Sequence, residues 1–271
     1  MSEASIEGDT RACHSQMRTL DVEMLRTALR DRRLGNPLIY FPAVGSTNST
    51  AADLARGGAV EGTLVTTDDQ QSGRGRIGRS WRSLPGQQLA LSLVLRPTFP
   101  PHFLVMASAL AVAETTERVT GLATGIKWPN DVQVDGRKVC GILIETSSDF
   151  AILGIGLNVN GSLADDAELT ARATTLAEAL GRPLSREALA VELLHRLDDL
   201  YTVLLTRGEE GRRGLRDAWR QRLVTLGRQV SLLQGERRVT GIAEDVDADG
   251  VLLLRRDDGV LQPVTWGDVE S

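Results

Sequence analysis

The chain has 271 residues, 41% of them hydrophobic and 25% charged, with a net charge of -5. This is enough material for one large or two modest domains with a buried core, and the acidic balance argues against a chain that binds polyanions over its whole surface. Cys13 and Cys140 lie far apart, and His14, His102 and His195 are isolated. This excludes a disulfide framework and a metal-ligand spacing and fits a reducing cytoplasm.

Residues 1 to about 18 are polar and aperiodic, the composition of a disordered segment. A helix is predicted from Thr19 to Arg33, capped by Thr19 or Asp21, striped by Leu25, Ala28 and Leu29, and stopped at Gly35. LIYFPAV reads as a strand. A short helix follows from Ser46 to Arg56, with Ser46 or Thr47 as N-cap and Gly57-Gly58 at its end. TLVTT and LALSLVL are strand-like, separated by a polar loop from Asp68 to Gln87. An apolar helix spans Pro101 to Val119; its LVMASALAVA run stops at Glu114, too short to cross a bilayer. GIKW, VQV, KVCGILIET and FAILGIGLNV then read as four strands, with turns at NDV, DGR and SSD. Three helical stretches occupy Ala164 to Arg220, the strongest beginning at Ser185. From Gly227 the pattern changes to four or five short alternating strands, which predicts a small barrel.

Of the 31 basic residues only two are lysines, Lys127 and Lys138. An ammonium is a compact point charge and a guanidinium a planar fork, so a lysine kept in so arginine-rich a chain suggests a site that needs the former. Chance retention in a loop is the plain alternative for either lysine alone. In QQSGRGRIGRSW, residues 70–81, Arg74, Arg76 and Arg79 alternate with Gly73, Gly75 and Gly78. Glycines admit close backbone approach and free N–H groups, and arginines add forks suited to carboxylate and phosphate. The segment reads as a loop that orders and closes over an anion; a flexible Gly-Arg linker is the competing reading. In KWPNDV, Pro129 restrains Trp128 and places Asn130 and Asp131 in a turn, which can hold a base or a metal-bound phosphate, or simply end a strand. GRKVCGIL brings Lys138 out of a tight turn, GIGLNVN sets two glycines before Asn158, and GSTN reads as a helix N-cap.

The set GSTN, GRGRIGRSW, KWPND, GRKVCGIL and GIGLN, in this order and spacing, resembles the biotin protein ligase family over residues 38 to 268. The resemblance implies an α+β fold. A mixed-sheet catalytic domain of the biotin/lipoate ligase type, with flanking helices, would span 19–224, and a small SH3-like β-barrel 225–271. It implies two half-reactions, in which biotin and ATP give biotinyl-5'-AMP and pyrophosphate, and the biotinyl group then passes to a lysine of a biotin carboxyl carrier domain. Mg²⁺ is expected with the ATP phosphates.

By the same resemblance, Ser46, Thr47, Asn48, Gln70, Arg74, Gly75, Arg76, Lys138, Gly141 and Gly156 would bind biotin. Arg76, Arg79, Trp81, Asn130, Lys138 and Asn158 would meet the nucleotide, and Lys138, Arg76, Arg79 and Asp131 are the candidate catalytic residues, Asp131 as base. Only about 37 residues precede the first catalytic strand, too few for a winged helix, so a cytoplasmic ligase without operator binding is expected. A carboxylase carrier is the expected partner, with no DNA or membrane; monomer and homodimer are both compatible. A lipoate ligase would show Arg-Arg and Gly-Gly-Gly signatures that this chain lacks. An RNA-binding module is disfavoured by the acidic balance.

Overall fold

The computed structural model describes residues 19–164, 166–234 and 237–270. The disorder expected for the first 18 residues lies outside them. Strand-forming runs and amphipathic stretches resolve as α1 (Val22–Leu29), β1 (Leu38–Val44), α2 (Thr47–Arg56), β2 (Leu64–Gln70), β3 (Gly73–Arg74), β4 (Ser80–Trp81) and β5 (Leu89–Leu95). Next come α3 (His102–Thr120), β6 (Thr124–Lys127), β7 (Asp131–Val134), β8 (Arg137–Thr146) and β9 (Ala151–Leu157). The helices α4 (Ala167–Arg172), α5 (Leu176–Leu180), α6 (Arg186–Thr206) and α7 (Gly208–Gln221) follow. The chain closes with β10 (Gln229–Gln234), β11 (Arg237–Val246), β12 (Leu252–Arg255), β13 (Leu261–Val264) and β14 (Asp268–Glu270).

Seven strands form one mixed sheet in the order β1-β2-β5-β9-β8-β7-β6, with β1 and β2 parallel and the other pairs antiparallel. The internal strand β5 is buried along its whole length, as an apolar run covered on both faces must be. Helix α3 packs on β6, β7 and β8 and is itself covered by α6 and α7, while α2 packs on β2, β5 and β9. On the α2 side, Ala51, Ala55, Val65, Val94 and Ile152 form a separate small core. The last five strands form an antiparallel sheet ordered β13-β12-β11-β10-β14. Among the described residues no helix is long and apolar enough to cross a membrane.

Several local expectations change. Asp21, one of the two expected caps, caps α1 by accepting from the Met24 N–H, but the helix ends at Leu29 and not at Arg33. Among the described residues the 164–220 region holds four helices where three were expected, with a break at Arg207 separating α6 from α7. The turn after β6 is Trp128-Pro129-Asn130, with a cis Trp128–Pro129 bond, so Asp131 begins β7 and does not sit in the turn. The segment expected as a loop from Asp68 is partly strand: β2 continues to Gln70, and β3 and β4 pair as a small hairpin.

Candidate functional site

The site begins with a strip of small side chains on the α2 face of the sheet. Cross-strand register aligns Ala90, Gly156, Gly141 and Asp131 in one row across β5, β9, β8 and β7, and Ser92, Gly154 and Leu143 in the next. Missing side chains in three of these positions leave a slot in an otherwise packed face. At its edge a β-bulge interrupts β8: Val132 pairs with Cys140, but Gln133 pairs with Lys138, leaving Val139 extra. Side chains alternate faces along a strand, so this insertion turns Lys138 to the face of Gly141 and Asp131. Lys138 Nζ lies 2.7 Å from Asp131 Oδ1 and 5.5 Å from the Trp81 ring centroid.

One wall is the start of α2. Ser46 caps the helix, accepting from the Ser49 N–H at 3.5 Å. Gln70 Oε1 accepts from the Thr47 N–H and Thr47 Oγ1 at 2.9 and 3.0 Å. Buried Ser92 Oγ lies 2.8 Å from Thr47 Oγ1 and 2.6 Å from Asn48 Oδ1, and Asn48 Nδ2 donates to Glu145 at 2.8 Å. These bonds fix the amide senses. The Thr47 N–H can only donate, so it faces the Gln70 oxygen; the Glu145 carboxylate can only accept, so it faces the Asn48 nitrogen.

The other wall is the arginine loop, whose apex turns through Ile77 at φ 53° and Gly78 at φ 71°. A branched residue rarely adopts that left-handed conformation. The loop was expected to order only around an anion, yet the protein supplies acceptors itself. Arg74 donates to Glu145 at 2.8 Å, and Arg76 donates to Asn130 Oδ1 at 2.9 Å and to the Gly267 carbonyl at 3.4 Å. Asn130 in turn donates to the Ile142 carbonyl at 2.8 Å. The Trp81 ring lies on the strip, its Cε2 only 2.7 Å from where a Gly156 Cβ would stand. Trp81 Nε1 is buried without a hydrogen-bond partner, so the site holds a donor that a ligand acceptor would satisfy.

Together these residues enclose a cavity of about 120 Å³. It is lined by Ser46, Thr47, Asn48, Gln70, Arg74, Gly75, Arg76, Arg79, Trp81, Asn130, Asp131, Lys138, Gly141 and Gly156, all singled out from the sequence. Asn158 does not line it: its side-chain amide donates to the Thr174 carbonyl at 3.1 Å, and its backbone N–H is held by Val139. Lys127 lines a separate hollow with Gly125 and Gln133. Sequence reasoning passed over Ser92 and Glu145. Ser92 had a signal, a lone hydroxyl in an apolar strand; Glu145 had none.

Burial pushes the Cys140 thiol far above its ordinary range, so this neighbour of Lys138 offers no thiolate at neutral pH. Among the described residues no group of three or more His, Cys, Asp or Glu side chains could hold a metal ion. The donor set at the cavity is instead cationic and amide, suited to a carboxylate or phosphate and to a neutral polar ring.

Residues 40–160 match the biotin/lipoate A/B protein ligase family, and residues 225–270 the biotin protein ligase C-terminal domain. The chain is 35% identical over 256 residues to the bifunctional ligase/repressor BirA of Bacillus subtilis, covering 91% of this chain and 77% of that protein. It is 33% identical over 253 residues to the biotin–[acetyl-CoA-carboxylase] ligase of Mycobacterium tuberculosis, covering 86% and 92%. Among solved structures, the biotin protein ligase of Aquifex aeolicus in complex with biotin and ATP is similar with a TM-score of 0.76 and 31% identity, over 87% of this chain and 98% of that one.

Proposed function

Because the chain belongs to the biotin protein ligase family of enzymes, we propose that it activates biotin with ATP as biotinyl-5'-AMP and transfers the biotinyl group to a lysine of a biotin carboxyl carrier domain. The observation that carries this reading is the convergence of Lys138, the loop arginines and the Gln70–Thr47 pair on one glycine-floored slot. A neutral ureido ring needs both donors and acceptors, which Ser46, Thr47 and Gln70 offer, and a flat bicycle needs a floor without side chains. The role of Asn158 in meeting the nucleotide, implied by the resemblance, has no support in its placement.

In the first step a biotin carboxylate oxygen attacks the α-phosphorus, and the bond to the departing pyrophosphate breaks. Two anions meet, so fixed cations dominate the barrier. Lys138 neutralises the carboxylate and the α-phosphate together; Arg76 and Arg79 face the phosphates. In the second step the carrier amine attacks the acyl carbon, AMP leaves, and Asp131 is the candidate acceptor of the amine proton. Its 2.7 Å pairing with Lys138 also gives it an orienting role. Trp81 lifts from the strip to admit the ligand and covers the mixed anhydride against water. With no group of three or more His, Cys, Asp or Glu among the described residues to hold it, Mg²⁺ would be carried mainly by the nucleotide's own phosphates, where it would neutralise charge.

The test is label exchange between pyrophosphate and ATP with biotin or lipoate, followed by transfer to a carrier domain. Biotin-dependent exchange supports the reading; lipoate-dependent exchange, or none, overturns it.

A further inference from the structure

Glu145 lies outside the lining of the cavity, at the opposite end of β8 from Lys138, yet two elements of the site converge on it. Its Oε2 accepts from Asn48 Nδ2 and from the Arg74 guanidinium Nη2, both at 2.8 Å, partners 97 and 71 residues away in the chain. Asn48 belongs to the α2 wall. Arg74 pairs with Ser80 at the base of the hairpin that carries Arg76 and Arg79. We propose that Glu145 is a positioning residue that fastens the arginine loop to the α2 wall and sets the amide of Asn48; this rests on the biotin ligase reading above.

The charges decide what the contact is for. Arg74 and Glu145 side chains are 46% and 37% exposed, and an ion pair so open to water adds little to fold stability. Geometry is another matter. A carboxylate accepts only, so it holds the Asn48 nitrogen toward itself and the Asn48 oxygen toward Ser92 Oγ at 2.6 Å. Removing the negative charge should therefore loosen the loop and the wall together while leaving the fold nearly as stable.

Glu145→Gln keeps the shape and removes the charge. The expected result is biotin dissociation about tenfold faster, the loss typical of one charge-assisted hydrogen bond to a partly exposed acceptor. The melting temperature should stay nearly unchanged, because an ion pair so exposed adds little stability. Arg74→Gln should speed dissociation by a similar factor and add little in the Glu145→Gln background; the same non-additivity is expected with Asn48→Ala. Dissociation from Glu145→Gln within about twofold of wild type, or independent multiplication of effects in both cycles, overturns the proposal. Should Glu145→Gln prove insoluble, dissociation from Arg74→Gln decides: an unchanged rate overturns it. Wild-type protein that binds no biotin would instead overturn the proposed function.

Discussion

Gly154→Ala tests whether the glycine strip is there to admit the Asn48 amide. Gly154 lies in β9 and has no positive φ, so alanine is tolerated by the backbone. Its methyl would stand 2.2 Å from Asn48 Oδ1, 2.9 Å from Cγ and 3.0 Å from Nδ2, so the whole amide must retreat by about 1 Å to reach ordinary contact. That movement breaks Asn48–Glu145 and Ser92–Asn48. Ser92 still has Thr47 Oγ1 at 2.8 Å, and Glu145 keeps Arg74, so neither is stranded. The stability loss is then roughly one charge-assisted bond, about 1.5 kcal/mol, offset by the ~0.4–1 kcal/mol gained when alanine in place of glycine restricts the unfolded chain. A net loss of about 1 kcal/mol or less lowers Tm by only ~2–4 °C in a chain of this size. Biotin affinity has no such offset and should fall about 10- to 30-fold, because a wall residue of the slot is displaced. Calorimetric titration with biotin, beside thermal melts, checks both numbers. Adding Asn48→Ala clears the clash without restoring the two lost bonds, so affinity should stay low. Gly154→Ala binding biotin within about threefold of wild type would refute the assignment of Asn48 to the binding wall.

Lys138→Ala should lower the adenylation rate by about 10³. Two unit charges ~4 Å apart at an effective dielectric near 20 interact by about 4 kcal/mol, which is that factor in rate. Single-turnover formation of biotinyl-AMP, compared with equilibrium ATP binding, should show the rate falling far more than the affinity; equal losses would make Lys138 a binding residue only. A third prediction concerns pH. Arg222, by two hydrogen bonds at 2.7 and 3.0 Å, holds the Glu117 carboxyl below its usual range, with Thr124 helping. A carboxylate depressed in the folded state stabilises above its unfolded pKa of about 4.3 and loses that contribution as pH falls through the native value. Glu117→Gln should therefore melt below wild type by ~2–4 °C near pH 7, the pair being partly exposed, and the gap should close in acid melts below pH ~4.

What the sequence disclosed and what it hid divide along the range of the interactions. The GSTN segment was readable as a helix cap and as a binding wall, and Ser46 caps α2 while lining the cavity. The glycines before Leu157 announced a close approach, and they form the floor. The acceptors of the arginine loop stayed hidden, because a local reading counts three repelling cations and misses partners far along the chain. Those acceptors are Glu145, Asn130 and the Gly267 carbonyl, 71, 54 and 191 residues away from their arginines. Asn158 stands outside the cavity lining for a similar reason: its neighbours in sequence are glycines of the floor, but its amide donates to the Thr174 carbonyl. The face on which Lys138 stands was also invisible, since plain alternation from Gly141 puts it on the wrong side; only the bulge at Val139 corrects the parity.

The rarity of lysine in this chain acquires a physical reading from these contacts. Elsewhere the arginines use their forks: Arg222 grips Glu117, Arg220 grips Asp245 and Arg255 grips Glu244, each through two nitrogens. A planar fork suits a carboxylate approached from open space, and Arg220, Arg222 and Arg255 are all at least partly exposed. Lys138 occupies different ground. Its Cε and Nζ both lie 3.0 Å from where a Gly141 Cβ would stand, with Trp81 on one side and Asp131 at 2.7 Å. A guanidinium there would have to lie flat against the Trp81 ring or swing out of the slot, and either placement moves the positive charge away from the row that Gly141 and Asp131 share. Lys138→Arg should therefore recover less than about a tenth of the lost adenylation rate. Full recovery would mean that charge alone, and not its compactness, is what the site requires.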